Sequence, residues 1–149
     1  VREHGNTKGF MYNNGGDSYY ETTIKTIFID MMFKYNGISV MAEYANKMAD
    51  DPIAKNFDQS ETGDAVYVGQ GINVQAGYLM TCNWEVAARY TGITPEAQIG
   101  ESAFDQYTLG VSRYIVGHKL KVQSDVSYKQ KRDNDDANLM YRVQFDIHF

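Results

Sequence analysis

Ala137-Asn138-Leu139-Met140-Tyr141-Arg142-Val143-Gln144-Phe145-Asp146-Ile147-His148-Phe149 is the stretch that decides the fold. Every odd position is apolar or aromatic. Asn138, Arg142, Gln144, Asp146 and His148 stand between them, and Met140 is the one apolar intruder. A β-strand sends successive side chains to opposite faces, so this segment has one apolar and one polar face. Soluble strands usually run to about five or six residues. An alternation sustained from 137 to 149 is closer to the roughly ten-residue segments of strands that cross a membrane.

The same period runs upstream. Leu120, Val122, Val126 and Tyr128 oppose Lys119, Lys121, Gln123, Asp125, Ser127 and Lys129, with Ser124 a small member of the apolar row. Tyr107, Leu109 and Val111 oppose Thr108, Gly110 and Ser112. Trp84, Val86, Ala88 and Tyr90 oppose Glu85, Ala87, Arg89 and Thr91. Val66, Val68, Ile72, Val74, Ala76, Tyr78 and Met80 oppose Gly69, Gly71, Asn73, Gln75 and Gly77. Ile38, Val40, Ala42 and Tyr44 alternate with Ser39, Met41, Glu43 and Ala45. In the first segment Ile27, Ile29, Met31, Phe33 and Tyr35 oppose Asp30 and Lys34, blurred by Phe28 and Met32. The pattern predicts seven strands, at 22–35, 38–49, 66–81, 84–94, 104–116, 119–131 and 137–149. Asn36-Gly37 is a strong two-residue hairpin signal, because a type I′ turn needs positive φ at both positions. Cys82-Asn83 and Gly117-His118 are also short. The connections near 50–65, 95–103 and 132–136 are longer and polar, so short and long connections alternate.

Composition bounds the function. The chain has 149 residues, enough for one domain, with 43% apolar and 22% charged residues. Its longest apolar run is Ala65-Val66-Tyr67-Val68, far short of the roughly 20 residues of a transmembrane helix. A membrane strand leaves no such run, so a membrane is not excluded. The lone Cys82 rules out an intrachain disulfide and a zinc–cysteine cluster. A net charge of −5 argues against nucleic acid as the partner. Val1-Arg2-Glu3-His4-Gly5-Asn6 carries no signal-peptide apolar region. Residues 1–21 lack alternation and read as a surface loop, with at most a short strand around Lys8–Tyr12.

Two architectures share this alternation. A soluble sandwich or lipocalin-like barrel turns its apolar side inward. An outer-membrane barrel turns it to lipid and keeps aromatics at the strand ends. The polar faces here are rich in Gly, Ser, Thr, Asn and Gln, and the apolar faces carry Tyr35, Tyr44, Tyr78, Trp84, Tyr90, Tyr107, Tyr128 and Phe149 near strand ends. The expected fold is therefore an all-β, antiparallel transmembrane β-barrel in a bacterial outer membrane, with 22–149 as its strands. Such barrels have an even strand count, so seven predict at least one more upstream.

The terminal pattern Tyr141, Val143, Phe145, Ile147, Phe149 resembles the C-terminal assembly signal of bacterial outer-membrane barrels, which implies the barrel-assembly machinery as a partner. Residues 107–128 (YTLGVSRYIVGHKLKVQSDVSY) resemble the penultimate hairpin of the phosphate-selective porin O and P family, and Trp84-Glu85-Val86-Ala87-Ala88-Arg89-Tyr90 resembles that family's preceding strand. The likeness covers 66–149, and 22–50 more loosely. It implies a homotrimeric, mostly sixteen-stranded pore of which this chain is the C-terminal part.

No enzyme motif is present: no Gly-x-Ser-x-Gly, no Walker loop, no His-Glu-x-x-His. Neither a cofactor nor a metal is expected. His4, His118 and His148 lack ligand spacing. Asp133-Asn134-Asp135-Asp136 begins like a calcium loop but lacks its glycine and glutamate, so a solvated loop is the plainer reading. Gly69-Gln70-Gly71 lacks the third glycine of a dinucleotide fingerprint. The polar faces are where transport chemistry would sit, because a low-dielectric wall focuses the field of lumen charges onto a passing ion. Lys34, Glu43, Arg89, Lys121, Asp125, Arg142 and Asp146 are the candidate selectivity residues; Lys47, Lys119, Lys129, Asp30 and Glu85 share the face. Cross-strand ion pairs that brace the wall would use the same residues. Two arginines among mixed acids favour passage of small hydrophilic solutes, leaning to anions such as phosphate, over strict phosphate specificity. A small eight-stranded structural or adhesion barrel, its interior filled by side chains, is the alternative.

Overall fold

The computed structural model describes residues 12–13, 18–116, 120–134 and 136–147, and the strands within them are all β with antiparallel pairing. In chain order they are β1 (Tyr12–Asn13), β2 (Ser18–Tyr19), β3 (Ile24–Tyr35), β4 (Ile38–Ala49), β5 (Ile53–Lys55), β6 (Glu61–Ala65), β7 (Gly69–Leu79), β8 (Trp84–Pro95), β9 (Phe104–Val116), β10 (Leu120–Lys131) and β11 (Ala137–Ile147). A single 3-10 turn, Ala97–Ile99, lies between β8 and β9. Among the described residues no helix is long and apolar enough to cross a membrane.

The seven expected strands form one sheet in the order β11-β10-β9-β8-β7-β4-β3. Each is 11 to 13 residues long. That length matches the roughly 9–11 residues a tilted strand needs to cross a bilayer. Asn36 and Gly37 both take positive φ, 44° and 84°, as the type I′ turn between β3 and β4 requires. Gly37 is needed twice over: a Cβ there would sit 2.6 Å from the Leu79 carbonyl oxygen. The Gly117-His118 turn, residues 8–11 of the Lys8–Tyr12 segment, His4, His148 and Phe149 lie outside the described residues. Edge strands β3 and β11 are not paired with each other.

Contacts divide the chain into two compact units. The unit of 1–28, 45–70 and 94–102 has a small apolar core of Ala54, Val66 and Val68, with Tyr20, Ala49 and Ile99 packed on it. This corrects the reading of 66–81 as one strand. β7 starts at Gly69, whose φ of 145° suits glycine, and a Cβ there would lie 2.5 Å from the Thr94 carbonyl oxygen. Val66 and Val68 therefore leave the apolar row of the sheet and become core. The expected polar loop near 50–65 also holds the β5–β6 hairpin. Alternation does not announce these strands, because Glu61-Thr62-Gly63-Asp64-Ala65 has no apolar face. Tyr20 donates to the carbonyl oxygens of Asp51 and Ile53, and burial together with Asp51 pushes its hydroxyl pKa up.

The unit of 29–44, 71–93 and 103–149 holds the body of the sheet. Among the described residues its buried members are polar or glycine: Ser112, Asp125, Ser127 and Gly92. Trp84, Val86, Leu109, Val111, Val126 and Tyr128 are exposed. On β11, Leu139 reaches 74% exposure. Register explains how each face stays uniform: Val86 pairs with Val111, Ala88 with Leu109 with Val126, and Val126 with Tyr141. Tyr90, Tyr107 and Tyr128 form one aromatic row across β8, β9 and β10, near the long connections. Trp84 lies in line with Arg113, Val122 and Phe145 at the opposite end. Arg113 bends over the Trp84 ring at 5.0 Å and donates to the Cys82 carbonyl oxygen, so its charge is carried to the turn while its stem covers apolar surface.

Candidate functional site

The polar face of β8–β11 is built from small and hydroxylated side chains that bond to one another. Arg89 pairs with Thr108, and Thr108 with Ser127, whose hydroxyls are 2.8 Å apart. One step along the strands, Ala87 pairs with Gly110, Gly110 with Asp125 and Asp125 with Arg142. A Cβ on Gly110 would rest 3.5 Å from the Asp125 Cβ, so glycine keeps this row shallow. The result is a recess of about 80 Å³ lined by Arg89, Thr108, Gly110, Lys121, Gln123 and Asp125 among others.

Asp125 is the focus of this recess. Its Oδ2 accepts from Arg142 Nε at 3.0 Å, and the carboxylate side chain is only 3% exposed. Its Oδ1 is buried and has no hydrogen-bond partner, and the same holds for Arg89 Nε. Lys121 stands opposite Asp146 in the register and 5.3 Å from the centre of the Tyr114 ring. Asp146 itself accepts from Gln144 Nε2 at 2.7 Å. Of the candidate selectivity residues, the structure thus brings Arg89, Lys121 and Asp125 to one recess, with Arg142 behind the aspartate and Asp146 across from the lysine.

Lys34 and Glu43 stand apart from it. Lys34 lines a second recess of about 360 Å³ with Ser39, Glu85 and Tyr114. Tyr114 donates to Glu85 Oε2 at 2.6 Å. Glu43 Oε2 accepts from Asn73 Nδ2 at 2.9 Å, and Asn73 Oδ1 accepts from Thr91 at 3.0 Å, a ladder of polar bonds across strands. Of the resemblance's assembly residues, Tyr141, Val143, Phe145 and Ile147 are exposed on edge strand β11, and Tyr141 Oη accepts from Ser124 at 2.9 Å. Phe149 and Lys119 fall outside the described residues.

Sequence reading missed a clamp at the loop end of the sheet. Arg132 grips both oxygens of Asp105 at 2.7 Å, and Tyr90 Oη donates to Oδ1 at 2.6 Å. Asp105 raises the Arg132 pKa further above its already high value. Gly92 makes the clamp possible: a Cβ there would meet Tyr90 Oη at 2.7 Å. A tyrosine two positions before a glycine in one strand was the available signal. The 133–136 loop bonds to itself through Asn134 and Asp136, and the described residues contain no metal-binding cluster. No family model, curated protein or solved structure matches the chain.

Proposed function

We propose that the seven-stranded sheet is part of the wall of an outer-membrane β-barrel. It would work as a porin, a passive diffusion channel for small hydrophilic solutes, anions such as phosphate among them. The observation that carries this reading is the reversed covering: apolar rows exposed, and Ser112, Asp125 and Ser127 buried. A soluble sandwich would bury Leu109, Val111 and Val126 to gain about 25 cal/mol per Å² of apolar surface. Lipid removes that need, and a watery lumen accounts for the serines, glutamines and charges opposite. Transport of this kind makes and breaks no covalent bond; it needs only a wetted path and charges that bias what enters.

Closure is part of the proposal. Lipid cannot satisfy open strand edges, so β3 and β11 must be paired in the membrane. In an antiparallel seven-stranded sheet these two run in the same direction, so closure needs an odd number of further strands. The likeness to the porin O and P family, a homotrimer and the barrel-assembly machinery as a partner belong to the same reading.

Two singular residues make the test clean. Trp84 is the one tryptophan and Cys82 the one cysteine. In vesicles, brominated acyl chains should quench Trp84 strongly and aqueous iodide weakly. In cells, an impermeant maleimide should reach Cys82 from the periplasmic side alone. Planar bilayers should show discrete conductance. Quenching by iodide but not by bromolipid would overturn the wall. Lipid quenching without conductance would favour the small closed barrel.

A further inference from the structure

We infer that the recess between Arg89 and Asp125 is a binding step for zwitterionic head groups, an ammonium and a carboxylate held on one small molecule, as in an α-amino acid. The lumenal role of this step rests on the porin reading; the binding chemistry does not. Two unsatisfied buried atoms of opposite character belong to side chains that line one recess: the Asp125 Oδ1 acceptor and the Arg89 Nε donor. A buried carboxylate oxygen without a donor is costly, and native structures rarely leave one so. The Asp125 carboxylate is already held through its other oxygen, Oδ2, by Arg142.

Charge decides the ligand class. A simple anion drawn to Arg89 and Lys121 would lie against the free oxygen of Asp125. A simple cation drawn to Asp125 would face those two cations. A zwitterion answers both: its ammonium donates to Asp125 Oδ1, and its carboxylate accepts from the Arg89 guanidinium, the geometry that arginine serves best. Lys121 and Glu85 also line the recess, beyond Asp125 from Arg89: the register sets Arg89 level with Ser127 and Glu85 level with Gln123. Size agrees. The recess holds about 80 Å³. At roughly 30 Å³ per water, that is the space of about two to three waters, enough for a small head group and not for a larger solute. An amino-acid head has five heavy atoms, whereas a sugar ring with its hydroxyls has about twice as many. The side chain of the solute would hang free in the lumen, so the step selects for the head group and not for one amino acid. Gly110 is the residue that leaves the floor open.

Glycine and glycolamide make the test, because they are isomers and only glycine is a zwitterion at neutral pH. Entry of each as tracer, at low concentration, is measured into vesicles carrying the protein. Glycine should enter several-fold faster than glycolamide. Asp125→Asn and Arg89→Gln should each bring the ratio close to one, and heat-modifiable migration on a gel shows independently that each variant has folded and inserted. Equal entry into the unaltered protein, or a preference that survives both substitutions, overturns the inference and leaves the pore standing. In detergent-folded protein the Arg89 Nε–H resonance should move on titration with glycine and stay put with glycolamide. If neither solute enters but that resonance moves, the pore reading falls and the site remains; if it does not move with glycine, the site falls.

Discussion

Arg142 Nε donates to Asp125 Oδ2 at 3.0 Å across the β10–β11 pair, and the two side chains are unequally covered: the aspartate is 3% exposed and the arginine 50%. The pair is thus a buried anion held by a half-solvated cation. Removing the cation should cost more than removing the anion. Arg142→Ala leaves the carboxylate buried and unpaired and should destabilise by about 1–3 kcal/mol, less than the fully buried case because Arg142 is half in solvent. Asp125→Asn keeps an acceptor and should cost less. Urea titration of the vesicle-inserted protein measures both; the reverse order would mean that Asp125 is held from elsewhere.

Val143 and Gln144 are neighbours on opposite faces of β11. Arginine on the lipid face near mid-membrane costs roughly 2–4 kcal/mol. Val143→Arg should therefore reduce the amount of folded protein in the outer membrane far more than Gln144→Arg. Equal tolerance would remove the distinction between the faces.

Tyr90 reaches Asp105 across the space that Gly92 leaves open. Gly92→Ala should displace the hydroxyl, and Tyr90→Phe should delete it, at a cost of about 1 kcal/mol for one hydrogen bond. Both should speed exchange of the Arg132 amide, which is bonded to the Ala103 carbonyl at 2.8 Å. Unchanged exchange in both variants would show that the Arg132–Asp105 pair holds the loop unaided.

Asp58 in the β5–β6 turn accepts from the Ser60 hydroxyl and from its backbone N–H, and these bonds pull its carboxyl pKa below the ordinary aspartate value. A depressed folded value means that the bonds stabilise the turn above the unfolded carboxyl's pKa and are lost as pH falls through the folded value. The Asp58 carboxyl carbon should titrate below the usual range by NMR, and Ser60→Ala should bring it back up. Titration at the ordinary value in the unaltered chain would contradict the turn geometry.

Much of the sheet is legible in the sequence because its cause is local. Period-2 alternation is a property of neighbouring residues, so all seven long strands were readable, and Asn36-Gly37 specifies its turn through backbone sterics alone. Tertiary structure decided what depends on distant partners. Val66 and Val68 fit the alternation of β7 yet join Ala54, because the chain kinks at Gly69 against Thr94. The Asp105–Arg132 clamp joins residues 27 apart, and the pairing of Asp125 with Arg142 depends on the register of two strands. Sequence places Arg89 and Asp125 on polar faces; only the alignment of β8, β9 and β10 brings them to one recess, since a slip of one residue would send either to the other face.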